Sequence, residues 1–267
     1  MVTVALSQLN IQSSDLKGNL DRVRAHIQSA AQLKADMIIL PELWNTGYDC
    51  AHFDQTAQSL RGKCISALKK WAREYEIFIF GGTIPEKKDQ KVYNTCAAID
   101  QKGEVVGKYR KIHLFPGGLQ EDRYFAPGEE WGLIETPWGM AGIVICYDLR
   151  FPELVRNLVL RGAQFIVVPA QWPVERMEHW SILCQSRALD NQVFVLGVNP
   201  AGKNESHRYA GHSLIVSPWG EILKEGSEDE ELVVLEIDLQ EVDRIRKIMP
   251  VLQDRRNILD EIDNSLF

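Results

Sequence analysis

The chain has no apolar run approaching the 18 residues that a membrane-spanning helix needs, so insertion through helices is not expected. It also lacks a basic excess. Thirty Lys and Arg stand against 37 Asp and Glu, a formal net charge of −7, and no stripe of cations interrupts that balance. Nucleic acids and anionic membranes reward clustered Lys and Arg, so neither is expected as a partner. Only five cysteines occur (Cys50, Cys64, Cys96, Cys146 and Cys184), an odd number, widely spread, with no C-x-x-C pair and no nearby histidine spacing. That argues against a disulfide framework and against a zinc site. Met1 to Gln8 goes straight into strand-like sequence with neither a charged leader nor a long apolar one, so nothing there marks export. The expectation is a reduced, cytoplasmic, metal-free protein.

What is present is a substantial core-forming fraction, 45% hydrophobic over 267 residues. Thr3 to Asn10 reads as a strand, and Leu20, Val23, Ile27, Ala30 and Ala31 recur at helical spacing behind it. Met37 to Leu40 is a short apolar strand ended by Pro41, and Cys64, Ala67, Leu68 and Trp71 mark a second helix, which establishes a βαβα order. Ile77 to Thr83 gives a third strand, and Asn94 to Ile99 pairs with Val105 to Tyr109 across a turn. After Ala141 to Ile145 come a helix near Leu154 to Arg161, a strand Phe165 to Pro169, a helix Arg176 to Asn191 and a strand Val193 to Asn199. Three more strands follow, and Leu239 onward is charged and irregular, suited to contact with a second subunit. Two Pro-Trp-Gly corners, 137–139 and 218–220, hint at two similar halves. No linker or low-complexity tract divides the chain, so residues 1–267 are expected to form one α/β domain, with 239–267 as a C-terminal extension at a subunit interface.

The chemistry-bearing residues lie just beyond strand-like runs: Glu42 after Met37 to Leu40, Lys111 after Val105 to Tyr109, and Cys146 after Ala141 to Ile145. Ligands of α/β folds gather beyond the carboxyl ends of strands. A thiol is mostly protonated at neutral pH and needs a base or a nearby cation, roles open to Glu42 and Lys111. An acyl-transfer intermediate needs fixed donors for its oxyanion, which Lys111 and the backbone N–H of Tyr147 would supply. Each residue also has an ordinary reading: a buried core thiol, a helix cap, a surface charge. Arg150, four residues past Cys146, suits a bidentate grip on a substrate carboxylate, and equally a pairing with Asp148 or Glu153. Trp172 and Arg176, after the next strand, and Tyr48 and Trp44, after Glu42, are pocket candidates or packing residues. His113, near Lys111, invites a Cys–His reading, but a carboxylate base already accounts for the set.

Pro41-Glu-Leu-Trp-Asn-Thr-Gly-Tyr48, Tyr109-Arg-Lys-Ile-His-Leu114 and Cys146-Tyr-Asp-Leu-Arg-Phe-Pro-Glu153 resemble, in order, the three motif blocks of the nitrilase superfamily of carbon–nitrogen hydrolases. The likeness covers nearly the whole chain. It implies a four-layer αββα sandwich, a catalytic Glu42–Lys111–Cys146 set, no cofactor, and assembly at least to homodimers. Leu119 to Gly128 is similar to the family segment that holds a second glutamate, which falls on Glu121. Beside Lys111 and Glu42 such a carboxylate would orient the ammonium and raise the pKa of Glu42 by repulsion. The blocks around Cys146 and Gln171 look most like omega-amidase-like members, which implies hydrolysis of short carboxylate-bearing amides such as 2-oxoglutaramate. Two alternatives remain open: an N-carbamoyl amino acid hydrolase, and a catalytically silent binding protein of the same fold.

Overall fold

The computed structural model describes residues 1–49, 52–117, 120–203 and 208–256. Its strands in chain order are β1 (Val2–Gln8), β2 (Met37–Ile39), β3 (Phe78–Phe80), β4 (Ile84–Lys88), β5 (Lys91–Ile99), β6 (Val105–Arg110), β7 (Leu133–Thr136), β8 (Gly139–Ile143), β9 (Phe165–Pro169), β10 (Phe194–Val198), β11 (Ala201–Lys203), β12 (Arg208–Ala210), β13 (Leu214–Val216), β14 (Ile222–Glu225) and β15 (Glu231–Ile237). One sheet runs β15-β1-β2-β3-β5-β4 with β6 also paired to β5, and a second runs β14-β13-β10-β9-β8-β7.

Alternation along each strand sorts side chains into separate cores. Val4, Leu6, Met37, Ile39, Phe78 and Phe80 of the first sheet meet Ile143, Phe165, Val167, Leu196 and Ile215 of the second. The intervening Ala5, Ile38, Leu40 and Ile79 face outward onto Val23, Ile27, Cys64 and Leu68 of the helices Leu16–Gln32 and Lys63–Glu74. On the far side, Val144, Ile166, Val168 and Val195 cover Leu154, Leu158, Trp180 and Cys184 of the helices Pro152–Leu160 and Met177–Asn191. The inner strands β2, β3, β9 and β10 are apolar throughout because both of their faces are buried. The result is the αββα sandwich. Among the described residues no helix is long and apolar enough to cross a membrane.

Local sequence sets the element ends. Asp15 caps the first long helix by accepting the Gly18 N–H at 2.9 Å, and Pro152, with no N–H to lose, opens the helix after the Cys146 turn. Gly82, at φ +56°, lets the chain after β3 pass under β2; a Cβ there would lie 2.1 Å from the Pro41 carbonyl oxygen.

Several expectations change. Ile84–Lys88 is a strand with Pro85 and three charged residues, possible because it lies at a sheet edge. The two Pro-Trp-Gly corners join β7 to β8 and β13 to β14, at opposite edges of the same sheet, and so do not mark equivalent places in two halves. The stretch after Leu239 is not irregular: Gln240–Ile248 is a helix that buries Val242 and Ile245, and Leu239 and Val242 join the core between the sheets. The remainder of that expected interface segment, 257–267, lies outside the described residues, as does Cys50.

Candidate active site

β1, β2 and β3 are mutually parallel, as are β8, β9 and β10, and β6 is antiparallel to β5, itself antiparallel to β3. Glu42, Lys111, Cys146 and Gln171 each follow the carboxyl end of one of these strands, and there the two sheets meet. The Glu42 N–H donates to the Ala170 carbonyl at 3.2 Å, and Gln171 donates through Nε2 to the Glu42 carbonyl at 2.7 Å and through its backbone N–H to Glu42 Oε2 at 3.0 Å. The loop after β3 holds the other side: the Leu43 N–H donates to Thr83 Oγ1 at 2.8 Å.

Glu42, Lys111 and Glu121 are fully buried and joined in one hydrogen-bonded cluster. Lys111 Nζ lies 2.9 Å from Glu42 Oε1 and reaches both Glu121 oxygens, at 2.9 and 2.8 Å. Glu121 also accepts the Tyr48 hydroxyl at 2.9 Å and the Phe115 N–H at 2.7 Å. Asn94 Nδ2 donates to Glu42 Oε1 at 2.8 Å. Burial pulls the Lys111 ammonium down, but Glu121 and Glu42 outweigh it and hold its pKa well above the ordinary lysine range. The Glu121 carboxyl is raised from its ordinary pKa: burial raises it, Lys111 opposes, and Glu42 adds to the rise.

Cys146 has φ +47°, and Leu43, next to Glu42, has φ +43°. Left-handed backbone at non-glycine residues is costly and persists only where the surroundings enforce it. At Cys146 the enforcer is Asp148. It accepts the Ile145 N–H at 3.0 Å while its own N–H donates back to the Ile145 carbonyl at 3.0 Å, a reciprocal clamp across the cysteine. Asp148 also accepts the Tyr109 hydroxyl at 2.9 Å, and the His113 N–H and Nδ1 at 2.9 and 2.8 Å. His113 is therefore committed to Asp148 and stacks on Phe151 at 3.6 Å, which leaves no Cys–His pair. The thiol is pushed well above its ordinary pKa by burial first and by Glu42 second, against Lys111 and the Gln171 N–H. Burial and the neighbouring carboxylates therefore favour the neutral thiol.

Cys146 and Tyr147 open onto a pocket enclosing about 440 Å³, mouth included, also lined by Tyr48, Arg150, Trp172 and Arg176. That is small-molecule size. Arg150 lies over the Trp172 ring at 4.9 Å and donates to His179 Nδ1 at 3.2 Å; Arg176 lies over Phe115 at 5.5 Å. Among the described residues neither arginine makes an ion pair, so the pairing of Arg150 with Asp148 or Glu153 does not occur. Trp172 serves both core and pocket: it packs on Trp180, and its indole N–H donates to the Arg176 carbonyl at 2.7 Å. Trp44 is not at the pocket; it is buried among the helix-facing residues with its N–H on the Gly81 carbonyl. Sequence reasoning brought together Glu42, Lys111, Glu121, Cys146, Tyr48 and the two arginines, and missed Asn94, Asp148 and Gln171 as parts of the site. The available signal was at Asn94, a polar residue in a strand that is apolar from Cys96 to Ile99.

Residues 3–247 match the carbon-nitrogen hydrolase family. A 2-oxoglutaramate amidase of Bacillus subtilis is 38% identical over 96% of this chain and 98% of its own length. Nit3 of Saccharomyces cerevisiae, described as a member of branch 10 of the nitrilase superfamily, superposes with TM-score 0.89 at 34% identity over 96% of each chain. A mutant of an amidase from Nesterenkonia sp. AN1, solved with the acetamide moiety of fluoroacetamide bound covalently at its active-site cysteine, superposes with TM-score 0.85 at 26% identity, over 97% of this chain and 96% of that one. With its sandwich fold, its motif blocks and its matched length, the chain belongs to the carbon–nitrogen hydrolase family and is a hydrolase of carbon–nitrogen bonds other than peptide bonds.

Proposed function

We propose that the enzyme is an omega-amidase-like amidohydrolase that splits the terminal carboxamide of a small carboxylate-bearing amide, such as 2-oxoglutaramate, into acid and ammonia. The observation that carries this reading is the buried Glu42–Lys111–Glu121 cluster beside the Cys146 pocket, with two arginines there that make no ion pair among the described residues. Glu42 takes the thiol proton as Cys146 Sγ attacks the carbonyl carbon. The oxyanion rests on Lys111 and the Tyr147 N–H. An ammonium has three N–H bonds; one shared between the Glu121 oxygens and one on Glu42 leave the third for the oxyanion. Collapse expels the nitrogen, protonated by Glu42, as ammonia and leaves a thioester. Glu42 then deprotonates water, which attacks the thioester, and the thiol regains its proton as the acid departs.

Arg150 and Arg176 bind the distal carboxylate, with Tyr48 and Trp172 walling the acyl chain. We further propose a cytoplasmic homodimer, a state supported by the exposed Ile182 and Leu189 on one helix and the exposed Trp219 near it. Ammonia release from 2-oxoglutaramate, succinamate and N-carbamoyl amino acids tests the reading, with Cys146→Ala alongside. Release from the first two, abolished in Cys146→Ala with the fold retained, is expected. Preference for the carbamoyl compounds would select the alternative hydrolase, and undiminished turnover in Cys146→Ala would sink the mechanism.

A further inference from the structure

Asn94 belongs to none of the motif blocks and does not line the pocket, yet it is fully buried in the catalytic cluster. It sits on β5 directly beside Lys111, whose backbone N–H donates to the Asn94 carbonyl at 2.9 Å. Its Nδ2 donates to Glu42 Oε1 at 2.8 Å and points at Glu121 Oε1 at 3.4 Å. Its Oδ1 is buried with no hydrogen-bond partner among the described residues. Buried carbonyl oxygens are nearly always paired, so this orphan calls for a cause. The cause is the orientation of the amide: turned over, Oδ1 would face two carboxylate oxygens. The side chain leaves its own acceptor unsatisfied in order to donate to the carboxylates.

That donation makes the two oxygens of Glu42 unequal. Oε1 accepts from both Lys111 and Asn94, whereas Oε2 accepts the Gln171 backbone N–H. Gln171, whose N–H holds Oε2, lines the pocket together with Cys146, so Oε2 is the oxygen on the thiol side. A hydrogen bond to a carboxylate favours its charged form and fixes its plane. We propose that Asn94 is a positioning residue: by occupying Oε1 it holds the Glu42 carboxylate in the rotation that presents Oε2 to the thiol and to the attacking water. This rests on Glu42 acting as the base.

Asn94→Leu, close in volume, removes the donor and the orphan acceptor together. The expected result is a folded enzyme with melting temperature near that of the parent. Its kcat falls about 30-fold or more, part of what a general base contributes, and KM stays within threefold. The acid limb of kcat/KM moves upward, because the charged form of Glu42 has lost a donor. Asn94→Asp provides the second arm. Its carboxyl, protonated between two others, donates in place of the amide, so activity recovers as pH falls and is lost as pH rises. A stable, folded variant of either kind with kcat within twofold of the parent and an unmoved acid limb overturns the proposal. So does a drop in melting temperature with the kinetics unchanged, which is the result of a merely structural asparagine. Glu42→Gln, assayed beside them, separates the two levels: full turnover there removes the base itself, whereas an inactive Glu42→Gln with a normal Asn94→Leu removes only the role of Asn94.

Discussion

Replacing Lys111 by Met removes the cation between Glu42 and Glu121 while keeping most of the side-chain stem. The ammonium lies 2.9 Å from Glu42 Oε1 and 2.8 Å from Glu121 Oε2, and among the described residues it is the only cation in ion-pair contact with either carboxylate. Breaking a buried pair by deleting one partner costs about 3–5 kcal/mol, because an uncompensated charge is left behind. Here two would be left, in one enclosure. Two carboxylates so close cannot both ionise, so one retains its proton and hydrogen-bonds to the other. Its folded pKa then lies above the value of about 4.3 that a glutamate has in the unfolded chain. The folded variant holds a proton that the unfolded chain has lost, so its stability falls as pH rises between those two values, by up to about 1.4 kcal/mol per pH unit. Urea unfolding of parent and variant from pH 5 to pH 8 measures this. The difference between them should be smallest at pH 5 and grow steadily to several kcal/mol at pH 8. A difference that does not change with pH, or one below about 1 kcal/mol at pH 8, would refute the shared burial of the two charges.

Arg150→Ala should lower kcat/KM for acidic amides about 10- to 100-fold, the worth of a charge-assisted hydrogen bond, and leave neutral amides nearly untouched; equal losses in a steady-state comparison would return Arg150 to a packing role over Trp172. Asp148→Ala strands buried donors from Tyr109, His113 and Ile145, and should cost about 4 kcal/mol and roughly 10 °C in melting temperature by calorimetry. Tyr109→Phe, which removes only one of those donors, should cost about 1 kcal/mol in the same scan.

The parts of the molecule legible from sequence were those where physics writes into residue type. Met37 to Leu40 and Ala141 to Ile145 are apolar throughout because alternate side chains enter different cores, and the polar switch at Glu42 and Cys146 marks where each strand leaves them. Chain order then carried Glu42, Lys111 and Cys146 to one end of the sandwich. What stayed hidden depends on partners distant in sequence. Asn94 and Glu42 are 52 residues apart, and Gln171 and Glu42 are 129 apart. The left-handed turn at Cys146 leaves no mark in residue choice, since cysteine is not a turn former; its cause is the Asp148 clamp two residues on. Lys87 and Lys88 disguised an edge strand, and the charged face of Gln240–Ile248 disguised a helix whose Val242 reaches the central core.

The bonds from Gln171 to Glu42 have a consequence for the whole sandwich. Glu42, Asn94 and Lys111 hang from the first sheet, whereas Cys146 and Gln171 hang from the second, so the proposed base and its proposed nucleophile share no strand. The reaction centre is a joint between two slabs, and its geometry measures how they are seated. Any solvent, pressure or mutation that lets one slab slip against the other by a fraction of an ångström disengages base from thiol before a helix or strand has melted, which makes turnover the most sensitive gauge of the docking of the two sheets.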